Sequence, residues 1–328
     1  MSENTGTRQL GRVHLAGLET SQQGLGCMGM SELYGPTDWD GALGTIHRAM
    51  ELGVTLLDTA DVYGTGHNEV LVGRAVATGP LRRDAVQIAT KFGVDRTSGD
   101  EVVRTRGDAA YVRSSCDASL RRLGVDVIDV YYVHRPPTNA EVEETVGAMA
   151  ELVRAGKVRH LGVSEFDAEL LRRAHAVHPI TALETEYSLW SRDVETLAPV
   201  LSELGVGLVA YSPLGRGFLT GAVDTAALTQ DDYRSHLPRF SGDAAAANQA
   251  IARAVRQVAD SVGATPAQVA LAWVAAQRER LGVPVVPIPG TRNPARLAEN
   301  TAAAGLRLDD AVLARLDSLA GLVVGDRY

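Results

Sequence analysis

A chain of 328 residues, 45% of them hydrophobic, can bury a large core as one big barrel or as two ordinary domains. The net charge of −8 is spread along the chain, which argues against nucleic-acid or membrane-surface binding. Cys27 and Cys116 form neither a disulfide framework nor a metal-ligand spacing. The start, MSENTGTRQLGRVHL, lacks an apolar signal core and no segment could span a bilayer, so we expect a cytoplasmic protein.

Strand and helix patterns alternate along most of the chain. After a polar tail, GRVHLAGLETSQQG predicts a β-hairpin, and short apolar runs then alternate with amphipathic segments. The predicted strands are QGLGCM, VTLLD, AVQIATKF, VIDVYYVH, VRHLGVS, TALETEYS, VGLVAYS and VPVVPIPG. The helices predicted between and after them are TDWDGALGTIHRAMELG, HNEVLVGRAVAT, DAAYVRSSCDASLRRLG, AEVEETVGAMAELVRAG, DAELLRRAHAV, VETLAPVLSELG and NPARLAENTAAAG.

This alternation predicts an α/β protein with a parallel sheet, and eight such units fit a single (β/α)8 TIM barrel over residues 1–328. Two extra helices, ANQAIARAVRQVADSVG and TPAQVALAWVAAQRER, precede the last strand. Thr265 and Pro266 suit the N-cap and first position of the second one. From Gly215 to about Ala247 the sequence shows little periodicity. We interpret this stretch as a lid over the barrel mouth, although a tolerated surface insertion would look the same.

Four polar side chains stand at or just after three of the predicted strands. Asp58 and Tyr63 lie in LLDTADVYG, Lys91 in IATKFG and His134 in DVYYVHRPP. In a parallel barrel they would gather at the carboxyl-terminal mouth. A lysine held by an aspartate stabilises the phenolate of a neighbouring tyrosine, and a histidine can hydrogen-bond a substrate oxygen. The group suits reduction of a carbonyl with hydride from a cofactor.

A glycine pattern near the start imitates a dinucleotide-binding fingerprint. GLGCMG matches G-x-G-x-x-G, but such a fingerprint should open a helix directly and be followed by an acid about twenty residues on. Here MSELYGPTD intervenes before the helix, and the acid that ends the next strand, Asp58, is too far away. We therefore reject a Rossmann domain and expect Gly24, Gly26 and Gly29 to let backbone pack closely.

Several longer motifs occur in one order along nearly the whole chain. They are GLGCMGMSELYG, LLDTADVYGTGHNEVLVGRA, ATKFG, VHRPP, VRHLGVSEF, ETEYSLWSRD, YSPLGRGFLTG and IPGTRNPARLAEN. In this the chain resembles the aldo-keto reductase family, in particular its bacterial and plant branch of broad aldehyde and ketone reductases. The resemblance implies a (β/α)8 barrel that binds NADPH without a Rossmann domain. It implies Tyr63 as general acid, Lys91 lowering its pKa, Asp58 holding Lys91, and His134 orienting the carbonyl.

The resemblance also implies a binding site for NADPH. Tyr211 would stack on the nicotinamide, and SPLGRG would wrap the pyrophosphate with backbone N–H groups. Thr291, Arg292 and Arg296 would take the 2′-phosphate at a helix N-terminus, with the two arginines favouring NADPH over NADH unless they form a solvated helix face. The remaining implied cofactor residues are Gly26, Met28, Asp58, Ser212, Pro213, Leu214, Gly215, Arg216, Gly290, Glu299 and Asn300.

The chain departs from the family pattern at the carboxamide of the nicotinamide. Where the family has Ser-Asn and a Gln, this chain has Ser164-Glu165 and Glu184. A carboxylate only accepts hydrogen bonds, so Ser164 would be the donor to the carboxamide oxygen. We expect Glu165 and Glu184, as two buried acids close together, to share a proton.

Two other classes of function fit parts of the sequence. One is a cofactor-binding regulator or redox sensor with little turnover, which the complete set of four polar residues argues against. The other is a metal-dependent hydrolase using Asp58 and His134, which lacks paired histidines with metal spacing. The substrate is expected to be a small carbonyl compound, but the pocket loops MSELYGP, DRTSGDEVVRTRGD and the stretch after Gly217 do not specify it. A homo-oligomer is possible.

Overall fold

A closed parallel barrel forms the centre of the protein. The computed structural model describes residues 10–35, 37–96, 104–230 and 232–328. In chain order its strands are β1 (Arg12–Leu15), β2 (Leu18–Ser21), β3 (Leu25–Gly26), β4 (Leu56–Asp58), β5 (Gln87–Phe92), β6 (Val94–Asp95), β7 (Arg104–Thr105), β8 (Ile128–Val133), β9 (Val158–Ser164), β10 (Ala182–Glu186), β11 (Gly207–Tyr211) and β12 (Val285–Pro287). The barrel order is β3-β4-β5-β8-β9-β10-β11-β12, all parallel, and a bridge between Gly26 and Gly290 closes the ring.

Helices cover the outside of the barrel between successive strands. They are α1 (Trp39–Glu51), α2 (His67–Thr78), α3 (Ala109–Leu123), α4 (Val142–Arg154), α5 (Ala168–Val177), α6 (Ala198–Leu204), α7 (Gly242–Val262), α8 (Pro266–Leu281), α9 (Pro294–Ala302) and α10 (Asp310–Asp317). The predicted barrel, hairpin and two extra helices are thus confirmed. Among the described residues no helix combines the length and apolarity that crossing a bilayer requires.

Capping residues and prolines determine where several helices start. They explain why one predicted start is confirmed and another lies further along the chain. Thr265 and Gln268 form a capping box at the start of α8, as the sequence predicts for Thr265. The helix predicted from Val194 begins only at Ala198, after a 3₁₀ turn, because Pro199 suits the first turn and no position further in. Helix α7 begins at Gly242, earlier than predicted.

The irregular stretch after β11 folds as a series of short 3₁₀ turns. These turns are Gly215–Thr220, Thr225–Ala227, Tyr233–His236 and Pro238–Phe240. Residues of the first three turns line the cavity at the barrel mouth. The segment therefore lies where the sequence analysis expects a lid.

Apolar side chains fill both the inside and the outside of the barrel wall. Strand β8 reads IDVYYV and is buried at every position, because a barrel strand has helices on one face and the interior on the other. Inside, Leu56, Ala89, Val130 and Val209 form one cluster with Leu15 of the hairpin. The hairpin thus plugs the end of the barrel opposite the mouth.

Two helical glycines allow a direct test of close packing. A Cβ on Gly73 of α2 would lie 2.1 Å from the backbone oxygen of Leu123, whereas one on Gly147 of α4 would meet nothing within 4 Å. Gly73→Ala should therefore lower the free energy of unfolding by about 1–3 kcal/mol through overpacking. Gly147→Ala should raise it by roughly 0.5–1 kcal/mol through helix propensity. Urea unfolding of both variants measures this, and equal effects would contradict the packing shown.

Candidate active site

Strand alternation carries three charged side chains into the top of the barrel interior. Leu56, Ala89 and Ala182 line the interior, and successive side chains of a strand alternate between its faces. The residues two positions further on, which therefore also point inward, are Asp58, Lys91 and Glu184. Since β4 and β10 are four places apart in a ring of eight, Asp58 and Glu184 approach from opposite walls.

The Lys91 ammonium is the meeting point of this cluster. Its Nζ lies 2.5 Å from Asp58 Oδ1 and 3.2 Å from Glu184 Oε1, and donates to the backbone oxygen of Thr59 at 3.0 Å. The side chain is fully buried. Burial lowers its pKa, but Asp58 and Glu184 outweigh burial and raise the pKa well above its ordinary value. Lys91 therefore stays charged.

Tyr63 places its hydroxyl 3.5 Å from Lys91 Nζ, at the edge of the cluster. Burial raises the pKa of Tyr63, and the opposing effect of Lys91 is smaller. Lys91 thus lowers the pKa of Tyr63, as expected, but the effect of burial is larger. Asp58 and Glu184 make smaller contributions that raise the pKa of Tyr63 further. Tyr63 is consequently a protonated phenol through the neutral range.

His134 lies against Tyr63, with ring centroids 5.7 Å apart in an edge-to-face arrangement. Burial lowers the pKa of His134 well below its ordinary value, and the positive charges of Lys91, Arg135 and Arg96 lower it further. The imidazole is therefore neutral, with one nitrogen able to donate and the other to accept. Within the described part of the chain, its Nδ1 has no hydrogen-bond partner.

The two acids expected at the carboxamide have different partners. Glu184 contacts Lys91, as described above, rather than Glu165. Glu165 accepts hydrogen bonds from Thr185 at 2.7 Å, Tyr211 at 2.9 Å and Arg327. Burial raises the pKa of Glu165, but Arg327, Thr185 and Arg135 together outweigh burial, and the net pKa is lowered. The expected sharing of a proton between Glu165 and Glu184 is therefore not what the structure shows.

A cavity of about 1500 Å³ opens above the cluster. Tyr63, Asp58 and His134 form part of its floor, while Lys91 lies behind them. The predicted cofactor residues that line it are Gly26, Met28, Asp58, Glu184, Tyr211, Ser212, Pro213, Leu214, Arg216, Gly290, Thr291, Arg292, Arg296, Glu299 and Asn300. Ser164, Glu165 and Gly215 are not among its lining residues. Residues 97–103 of one predicted pocket loop lie outside the described residues.

Backbone shape on one rim suits a bound dinucleotide. Ser212, Gly215, Arg216 and Gly217 have left-handed φ values of 48°, 55°, 54° and 89°, which make a tight series of turns. A Cβ on Gly26 would lie 2.9 Å from a backbone oxygen, so a side chain there would crowd the rim. These turns, and the missing side chain at Gly26, therefore leave room at the rim for such a group.

The arginines around the cavity differ in how much of their charge is already used. Arg216 is paired with the buried Glu186 at 2.9 Å. Arg292 donates to the backbone oxygens of Tyr34 and Gly35 and so anchors the loop after β3. Arg296 is exposed, and its guanidinium has no hydrogen-bond or salt-bridge partner among the described residues. The charge of Arg296 is therefore available to a ligand.

The N-terminus of α9 is already capped by its own chain. Asn293 Oδ1 accepts from the backbone nitrogens of Ala295 at 2.8 Å and Arg296 at 3.2 Å. These backbone donors at the helix N-terminus, where the 2′-phosphate is expected, are therefore engaged by the cap. An anion there would depend on side chains such as Thr291 and Arg296.

Three further residues at the mouth are not predicted from the sequence. Arg135 donates to the backbone oxygen of His134 at 2.7 Å and to Ser164 Oγ at 3.3 Å. Its place directly after His134 at a strand end was a usable signal. Tyr328 contacts the Tyr211 hydroxyl at 2.8 Å, and Arg327 binds Glu165. No pattern in the sequence indicates that pair.

Comparison with known proteins places this chain and its fold in one class. The aldo/keto reductase family matches residues 23–320. A glycerol dehydrogenase of Gluconobacter oxydans is 28% identical, with a TM-score of 0.85 over 99% of this chain and 98% of that one. An aldo-keto reductase of Bacillus halodurans in holo form is 26% identical, with a TM-score of 0.75 over 97% of both chains. A thermostable aldo-keto reductase bound to epalrestat is 30% identical, with a TM-score of 0.74 over 94% of this chain and 100% of that one.

The barrel and its mouth thus define a carbonyl-active oxidoreductase. The chain belongs to the aldo/keto reductase family.

Removing the buried ammonium should destabilise the protein in a pH-dependent way. In Lys91→Met, Asp58 and Glu184 lose their cation, so their folded-state pKa values rise further above the unfolded ones. A raised acid pKa means that the folded state holds more protons, so stability falls as pH increases. We expect a loss on the order of 3–5 kcal/mol at pH 8 and a smaller loss at pH 5.

Urea unfolding at both pH values measures this effect. Lys157→Met is the matched control, because Lys157 pairs with Asp117 on the surface, where both side chains are well exposed. Its effect should be much smaller and nearly the same at both pH values. A loss for Lys91→Met that does not depend on pH would contradict the buried cluster.

Proposed function

We propose that the protein catalyses the NADPH-dependent reduction of an aldehyde or ketone to an alcohol, with Tyr63 as general acid. The observation that carries this proposal is the Tyr63 hydroxyl, 3.5 Å from a buried Lys91 at the floor of a large cavity. A phenol in that position can donate to a substrate oxygen in the cavity. The negative charge left on Tyr63 then forms beside an ammonium.

Each member of the cluster has a distinct part in the proton transfer. NADPH, when bound, would supply the hydride. As negative charge develops on the carbonyl oxygen, that oxygen becomes far more basic than the neutral carbonyl and accepts the Tyr63 proton. The raised pKa of Tyr63 keeps the phenol protonated until that moment. Lys91 stabilises the phenolate, and Asp58 fixes the position of Lys91.

His134 would act as a hydrogen-bond donor rather than as an acid. Its neutral imidazole can donate one N–H to the carbonyl oxygen and so orient the substrate toward Tyr63. An imidazolium here would lie close to the Lys91 charge, which is unfavourable. With His134 donating only a hydrogen bond, Tyr63 is the residue that transfers the proton.

The free charge of Arg296 supports NADPH as the cofactor. A 2′-phosphate carries a double negative charge and favours an arginine, whereas a ribose hydroxyl does not require one. Arg216 and Arg292 already have protein partners. Tyr211, Ser212 to Arg216, Gly290, Glu299 and Asn300 would hold the rest of the cofactor, as the family resemblance implies.

The cluster does not favour the alternative of a metal-dependent hydrolase. A metal at Asp58 would have to displace Lys91, whose Nζ lies 2.5 Å from the Asp58 carboxylate. A regulator with little turnover is distinguished by assay. A panel of aldehydes and ketones, with NADPH oxidation followed optically, tests turnover directly and identifies the preferred substrate class.

Replacing the proton donor tests the central assignment. Tyr63→Phe should lower kcat by roughly 10²–10⁴-fold, since general acid catalysis contributes about that much. Cofactor affinity, measured by fluorescence titration, should remain nearly the same. Tyr131→Phe is the matched control, because Tyr131 is fully buried against Phe92 and its hydroxyl has no partner among the described residues. Near wild-type turnover in Tyr63→Phe would refute the assignment.

Replacing the free arginine tests cofactor choice. Arg296→Ala should weaken NADPH binding by on the order of 1.5–3 kcal/mol, as expected for a lost charge-assisted contact to phosphate, and NADH binding much less. Arg307→Ala removes the same charge from an exposed position that does not line the cavity, and controls for long-range electrostatics. Fluorescence titration with both cofactors measures the affinities. Equal losses for NADPH and NADH would show that Arg296 does not contact the 2′-phosphate.

A further inference from the structure

Glu184 is acidic at a position where the chemistry described so far needs no acid. Its Oε1 and Asp58 Oδ1 both face Lys91 Nζ, at 3.2 and 2.5 Å. The second oxygen of each carboxyl, Asp58 Oδ2 and Glu184 Oε2, is buried with no hydrogen-bond partner among the described residues. Two ionised carboxylates beside one ammonium would leave a net negative charge in the barrel. One proton shared between the two carboxyls removes the excess negative charge and provides a hydrogen bond between the two unpartnered oxygens.

We propose that Glu184 is a positioning residue for the general acid, which as a neutral carboxylic acid hydrogen-bonds Asp58 and keeps Lys91 beside Tyr63. The inference rests on the proposed function of Tyr63. Glu184 Oε2–H donates to Asp58 Oδ2, while Asp58 Oδ1 accepts from Lys91. Ionisation of Glu184 releases this proton to solvent and adds a negative charge beside the developing phenolate, which weakens proton donation.

The groups around Glu184 determine the sign of the pH dependence. The titratable groups that face it are Asp58, Lys91, Tyr63 and Tyr132, and its register neighbours Ser164 and Val209 are uncharged. Burial, and then the Asp58 charge, raise the pKa of Glu184. The neutral form therefore persists above the ordinary range of a glutamate and is lost as pH rises through the raised pKa. An ionised Glu184 in turn raises the pKa of Tyr63.

The first test is the pH profile of kcat for carbonyl reduction. In the wild type, kcat should fall on the order of tenfold to a lower plateau as Glu184 ionises, because the added negative charge raises the pKa of Tyr63 and makes it a weaker acid. Glu184→Gln, nearly isosteric and unable to ionise, should lose this alkaline fall. Glu184→Leu, which has no donor for Asp58, should lower kcat much more than it changes KM for the carbonyl substrate.

A matched control uses the same substitution two residues along the strand. Glu186 is equally buried but pairs with Arg216 at 2.9 Å, so Glu186→Gln should retain the alkaline fall of kcat at saturating cofactor. The proposal is overturned if Glu184→Gln keeps the wild-type fall. It is also overturned if the substitution changes only cofactor affinity, since that result would place Glu184 on the carboxamide.

The second test reads the proton directly in the cofactor-free protein. At pH 7, the infrared spectrum of the wild type minus that of Glu184→Gln should contain the carbonyl band of a protonated carboxylic acid. Burial raises the pKa of Asp61 to about 7, but its signal is common to both proteins and cancels. In Asp58→Asn, Glu184 becomes the sole carboxylate of Lys91 and should ionise, so the corresponding band should disappear.

The two proposals fail in different ways. No acid band in the wild-type difference spectrum would overturn the role of Glu184 even if Tyr63→Phe is inactive. An active Tyr63→Phe variant with the band present would refute the proposed acid while leaving Glu184 protonated. If Glu184→Gln does not fold, the protonation state of Glu184 can be measured from the carboxyl-carbon chemical shifts of wild-type protein labelled at glutamate. A Glu184 resonance that titrates in the ordinary glutamate range would overturn the proposal.

Discussion

One buried ammonium group ties the barrel fold to its chemistry. Lys91 brings a charge into the interior, which is costly unless the charge is paired and hydrogen-bonded. Its partners come from β4 and from β10 on the opposite wall, together with the backbone oxygen of Thr59. A slip of one residue in either strand would turn Asp58 or Glu184 out of the interior and leave the charge uncompensated. Strand register and site geometry therefore depend on each other.

Those parts of the fold that depend on a few neighbouring residues could be predicted from the sequence. Alternating apolar runs and amphipathic segments predicted the eight strands, since each pattern spans a few neighbouring residues. The position of Asp58, Lys91 and His134 at the barrel mouth could be predicted because each lies at the end of such a run. The contact between Glu184 and Lys91 was not found. Alternation from Ala182 places Glu184 inward, but its partner follows only from which strands face each other across the ring.

The sequence alone predicts which charged residues surround the cavity, but not which of them already have partners within the protein. Arg292 and Arg296 are the same residue type, yet the guanidinium of Arg292 donates hydrogen bonds to the backbone oxygens of Tyr34 and Gly35. That difference depends on how a separate loop folds. The early start of α7 has another cause. The segment GDAAAA has no apolar periodicity, but alanine favours helix strongly enough to extend it.

The barrel closes where its strands are shortest, and this has a consequence for its dynamics. Strand β3 has two residues and β12 has three, and they are joined through the bridge between Gly26 and Gly290 and a 3.4 Å hydrogen bond from Gly26 to Pro289. Both glycines also line the cavity. Local opening should begin at this seam, so its amides should exchange hydrogen faster than those of β8 and β9. A ligand that contacts both strands would hold the barrel closed. Ligand binding and local opening of the barrel at this seam would then be thermodynamically linked.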